Sequence, residues 1–144
     1  MGTFGNERRT FGEGPARETF SQLLTTVKGG IEMHLRPGFM MAPVFGVAMK
    51  FEEGGRVSPY TEVEINHTFR TGGYAGTGIG VWDIGHDSHV AAATVLIHFG
   101  APLVKYGPGR ARWLLTYETR LFFGQLNNID NNYQAMVGVR YVFK

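Results

Sequence analysis

The chain has 144 residues, 21 of them Gly, with 13% aromatic and only 18% charged residues, and it contains no Cys. That length suits one domain, 1–144, and the missing Cys excludes disulfides, thiolate catalysis and thiolate metal sites. A net charge of +2 without a block of basic residues excludes a nucleic-acid partner, and no apolar run reaches the roughly 18 residues of a transmembrane helix.

Taken in chain order, the sequence predicts eight strands at roughly 2–11, 20–35, 39–51, 57–70, 74–84, 89–100, 110–123 and 132–143, separated by turn residues. The opening Met1-Gly-Thr-Phe-Gly-Asn lacks the apolar centre of an export leader, so an exported form would have lost its leader already. The first strand is the weakest, because Thr3 to Phe11 is polar and aperiodic. In the second, Val27, Ile31, Met33 and Leu35 oppose Lys28, Glu32 and His34. In the third, Phe39, Met41, Phe45, Val47, Met49 and Phe51 oppose the small Ala42, Gly46 and Ala48 and then Lys50; Pro43 removes one ladder donor here. The fourth is the clearest: Val57, Thr61, Val63, Ile65, His67 and Phe69 alternate with Ser58, Tyr60, Glu62, Glu64, Asn66 and Arg70.

The fifth strand leaves one face bare at Gly76, Gly78 and Gly80. In the sixth, Ala91, Ala93, Val95, Ile97 and Phe99 are assigned to the polar side, and His98 to the apolar face, as is His67. The seventh puts Trp113, Leu115, Tyr117, Leu121 and Phe123 opposite Arg112, Thr116, Glu118 and Arg120. The last puts Tyr133, Ala135, Val137, Val139, Tyr141 and Phe143 opposite Gln134, Met136, Gly138 and Arg140. Long strands joined by short turns favour an antiparallel, up-and-down barrel over a sandwich.

Alternation alone does not say which face points outward. Three features favour an outward apolar face, as in a membrane barrel. Aromatic residues collect near strand ends at Phe39, Phe51, Tyr74, Trp82, Trp113, Phe123, Tyr133, Tyr141 and Phe143, in the manner of two interfacial girdles. The polar face mixes both signs of charge with small residues, which suits a narrow lumen. The apolar face is larger than an interior of this chain could hold. On this reading Lys28, Glu32, Glu62, Glu64, Arg112, Glu118, Arg120 and Arg140 form an ion-paired lumen network that plugs the barrel.

The closing Val137-Gly-Val-Arg-Tyr-Val-Phe-Lys144 resembles the terminal strand of outer-membrane barrels, which alternates apolar residues and finishes on an aromatic; here Lys144 follows the aromatic. The whole chain resembles the small eight-stranded bacterial family of opacity-type and OmpA-like barrels. The resemblance implies an eight-stranded transmembrane β-barrel in the bacterial outer membrane, with a porin-like architecture. It implies partners in the lipid bilayer or detergent, and in the outer-membrane assembly machinery through the C-terminal strand. It also implies periplasmic termini and turns at Arg36, Thr71 and 105–109, with short outer connections at 12–19, 52–55, 85–88 and 124–131. Short outer loops argue against a large adhesin or receptor tip.

Two other functions are weighed against this structural or interaction role. A soluble, lipocalin-like barrel would hold a small apolar ligand. A lipid-modifying enzyme is suggested by His86-Asp-Ser-His89, where His86 and Ser88 resemble the pair of outer-membrane lipid A deacylases; Asp and Ser are also ordinary turn residues. Charges of both signs on one face fit a structural plug better than acid–base catalysis. The reading is therefore of a protein with no enzymatic activity, no cofactor and no metal, since His86 and His89 lack an evident third ligand.

Overall fold

The computed structural model describes residues 1–11, 15, 18–51, 55–84, 92–104, 113–123 and 132–143. Nine strands lie within them: β1 (Gly2–Phe11), β2 (Glu18–Gly30), β3 (Met33–Arg36), β4 (Phe39–Lys50), β5 (Arg56–Thr68), β6 (Tyr74–Trp82), β7 (Ala92–Val104), β8 (Trp113–Phe122) and β9 (Tyr133–Tyr141). Apart from β2 and β3, which both pair with β4, neighbours in the chain pair antiparallel, and β1 pairs with β9. The sheet therefore closes into an eight-stranded antiparallel barrel, with β3 as one extra strand.

The predicted single strand over 20–35 is divided, and Pro43 is the physical reason. The β2 pairing ends at Gly30↔Val44 and the β3 pairing resumes in the same register at Met33↔Met41. Opposite the gap, the Ile31 N–H donates to the Pro43 carbonyl, 3.3 Å away. Proline has no N–H to return, so the ladder lapses for Ile31 and Glu32. The weakly patterned first strand pairs along its whole length with β2 and over Gly2–Arg8 with β9, which overrides its lack of periodicity.

Partner pairs can be followed once round the ring. From Asn66 they run through Gly76, His98, Glu118, Met136, Gly5, Leu24 and Lys50 and return to β5 at Arg56, ten residues from the start. A ten-residue stagger over eight strands tilts them by about 40° and leaves an interior that side chains can just fill. Both termini and the turns at 37–38 and 69–73 lie at one end. Gly38 and Gly72 supply the positive φ those turns need.

The two faces are inverted relative to a water-soluble barrel. Among the described side chains of the eight ring strands, the outer face carries a single charge, Arg8, near the end remote from the termini. The rest of that face is large and apolar, with Val27, Phe45, Ile79 and Val137 each more than half exposed. The interior buries Glu7, Arg9, Lys28, Lys50, Glu62, Glu64, Asp83, Glu118, Arg120 and Arg140.

Three assignments of the sequence reading are overturned here. Tyr74 and Trp82, expected in the girdles, point into the barrel at 2% and 0% exposure. They share the inward face of β6 with Gly76, Gly78 and Gly80, where side chains from neighbouring strands need the space. A Cβ on Gly80 would lie 2.6 Å from Glu62 Cγ. In β7 the sides are exchanged: Ala93, Ile97 and Phe99 face outward, while Ala92, Thr94, Leu96 and His98 are buried inside. Both faces of this strand are rich in apolar residues, so alternation did not orient it. His98 accordingly lies in the lumen and not on the apolar face. The other predicted girdle residues (Phe39, Phe51, Trp113, Phe123, Tyr133, Tyr141 and Phe143) are on the outer side, and Tyr141 packs between Trp113 and Phe143.

Candidate functional site: the lumen ion network

Period-two alternation puts Glu62 and Glu64 on the inward face of β5, Glu118 and Arg120 on that of β8, Lys28 on that of β2 and Arg140 on that of β9. Barrel closure brings them together. The Arg120 guanidinium engages Glu62 in a fork through Nε and Nη2, with Nη2 2.9 Å from Glu62 Oε2 and 2.8 Å from Glu118 Oε2. Lys28 Nζ lies 2.6 Å from Glu118 Oε1, 2.7 Å from Glu64 Oε1 and 3.6 Å from Glu62 Oε2. Arg140 reaches Glu32 at 2.9 Å and Glu64 at 3.4 Å. Every member of the predicted network except Arg112 is thus joined; Arg112 lies outside the described residues. Arg140 pairs with Glu64 and Glu32 because the β8–β9 register sets it opposite Leu114, four residues from Glu118 along β8.

The sequence reading missed a second cluster near the far end. Asp83 sits between Arg9 Nη1 at 3.1 Å and Lys50 Nζ at 3.0 Å, and it accepts a hydrogen bond from the Ser58 hydroxyl. Lys50 also pairs with Glu7 at 3.2 Å, and Gln22 and Gln134 both donate to the Glu7 carboxylate. Asp83 lies just past β6 in the left-handed region, φ 57°. Burial alone would raise its carboxyl pKa, but Lys50, the Ser58 hydroxyl and Arg9 outweigh it and hold the group at about 2. Lys50 was legible, being in step with Ala42, Gly46 and Ala48. Glu7 and Arg9 were hidden by the aperiodic first strand.

Between the two clusters, Tyr60 stacks on Trp82 with centroids 3.9 Å apart, and Phe122 meets Trp82 edge-on. Arg120 approaches the Trp82 ring at 5.0 Å and Arg9 the Phe122 ring at 4.0 Å, so each cluster sends a cation to this aromatic group. Trp82 Nε1 also donates to Glu62 at 3.2 Å. At the termini end, a cavity of about 710 Å³ opens onto Lys28, Glu64, Glu32 and Arg140. His86, Ser88 and His89 lie outside the described residues.

Buried carboxylates and cations at hydrogen-bond distance neutralise one another and link β1, β2, β4, β5, β8, β9 and the end of β6 across the lumen; chemically this is an electrostatic core. The fold and this core define a closed, eight-stranded antiparallel barrel with a charged interior and an apolar exterior. No family model, curated protein or solved structure matches the chain.

Proposed function

We propose that the protein is an integral barrel of the bacterial outer membrane, with a structural or interaction role and a lumen closed by ion pairs. The observation that carries this reading is the inversion of the barrel: among the described side chains, one charge on the outer face of the ring strands against a densely charged interior. Apolar surface of that extent is unfavourable in water and needs a lipid or detergent cover. At a tilt of about 40°, ten residues of strand rise about 25 Å, the height of the apolar band of such barrels. Phe39, Trp113, Tyr141 and Phe143 near one rim and Phe51, Phe123 and Tyr133 near the other suit the two interfaces.

A soluble ligand-carrying barrel would need an apolar interior cavity, whereas here the centre of the lumen is filled by Lys28, Arg120 and three glutamates. The same filling leaves little room for water, so the barrel conducts poorly. The test is refolding from urea with and without phospholipid vesicles. The membrane reading expects folding, seen as a heat-sensitive shift in gel mobility, only with vesicles or detergent. A monodisperse, β-rich monomer in plain buffer would overturn it.

A further inference from the structure

We propose that Glu64, His98 and Glu118 form a binding site for a divalent first-row metal ion, zinc foremost, in competition with the Lys28 ammonium. The three side chains converge from adjacent inward positions of β5, β7 and β8, and one ligand atom of each lies within 4.8 Å of the others. His98 Nδ1 is 3.9 Å from Glu64 Oε2 and 3.8 Å from Glu118 Oε1. Zinc bonds of about 2.0–2.2 Å set tetrahedral ligand atoms about 3.4 Å apart, so His98 Nδ1 must approach each carboxylate by about half an ångström, and the carboxylate oxygens, which lie within 4.8 Å of one another, must draw together to the same spacing.

The imidazole is the observation that points to a ligand. It is 0% exposed and neither ring nitrogen has a hydrogen-bond partner. A buried polar group left in that condition is costly, and a metal bond through Nδ1 would satisfy the nitrogen that faces the two carboxylates. The Tyr74 ring holds the imidazole edge-on, with centroids 5.1 Å apart. Gly76 leaves it room, since a Cβ there would lie 2.6 Å from Nε2.

The charge balance is compatible. Among the described residues of this cluster, Glu32, Glu62, Glu64 and Glu118 face Lys28, Arg120 and Arg140, four carboxylates to three fixed cations. The cavity at the termini end gives an ion a route to Glu64. Lys28 bonds the same Glu118 Oε1 that a metal would use, so ammonium and metal exclude each other at that atom. An imidazole among the ligands selects zinc over calcium or magnesium.

The test is zinc titration of the folded protein by calorimetry, in whichever medium keeps it folded, with circular dichroism to confirm each variant's β-structure. Wild type is expected to take up one equivalent. His98→Ala and Glu118→Gln should weaken uptake at least tenfold, Lys28→Met should tighten it at least tenfold, and a His86→Ala/His89→Ala double variant should match wild type. Uptake unchanged in His98→Ala, or absent from both wild type and Lys28→Met, overturns the proposal. If His98→Ala does not fold, Lys28→Met decides: affinity no tighter than wild type overturns it. A protein that folds in plain buffer and still binds zinc in this way would refute the membrane reading and keep the metal site.

Discussion

At the scale of single residues, the interior behaves as a set of coupled charges. Arg120 is 0% exposed and bridges Glu62 and Glu118. Removing it takes the fork from Glu62, leaving that buried carboxylate only the Trp82 N–H and Lys28 at 3.6 Å, so Arg120→Met should cost about 3–5 kcal/mol. Adding Glu62→Gln to that variant should recover part of the loss. Arg8→Ala, on the exposed outer face, should stay within about 0.5 kcal/mol. Denaturant titration of the refolded variants measures all three. Asp83 gives a pH signature of its own. Its folded pKa of about 2 lies below the ordinary value of 3.8, so its contribution, up to about 2 kcal/mol, is fully present above pH 4 and is lost as pH falls toward 2. Asp83→Asn should therefore lose less stability than wild type between pH 5 and pH 2. An equal acid loss in both would refute the assignment. These residues also mark the limit of what the sequence disclosed. Glu62, Glu64, Glu118 and Arg120 were legible because their strands alternate cleanly. Asp83 was not, since it lies past a strand end and finds Arg9 and Lys50 only through barrel closure.

At the scale of elements, two departures from regular pairing are testable. Pro43 leaves Ile31 and Glu32 outside the ladder. Pro43→Val restores a donor opposite Ile31, so amide exchange of 31–32 should slow and β2 should run on into β3. Unchanged exchange would mean that the break has another cause. The inward face of β6 is the second. A methyl at Gly76 meets the His98 ring, and Gly76→Ala should destabilise by about 1–3 kcal/mol through overpacking; equal stability by denaturant titration would contradict the close approach. The alternation of β5, β8 and β9 was readable because one face of each carries polar and charged residues, and that of β4 because large apolar residues alternate with the small Ala42, Gly46 and Ala48. β7 was misassigned because Ala, Val, Leu, Ile and Phe occupy both faces, and only its pairing to β6 and β8 fixes the side. Tyr74 and Trp82 were misplaced for a related reason: an aromatic at a strand end looks like an interfacial anchor, yet both keep step with the inward glycines.

At the scale of the whole molecule, the closed ring, its ten-residue stagger and its inverted polarity are consequences of one another. Eight tilted strands enclose a space that side chains fill, and charges placed there must pair. The apolar residues excluded from that space then cover the outside. In the proposed membrane setting that outer face lies against hydrocarbon. Because the chain has no Cys, single cysteines can carry a fluorophore without interference. The direct measurement is quenching of such a label at Val63 and at Val137, outward on opposite sides of the ring, in vesicles of brominated phospholipid. We expect strong quenching at both by bromines deep in the acyl chains, and little by aqueous iodide. Quenching by iodide with none from brominated lipid at either position would contradict the account.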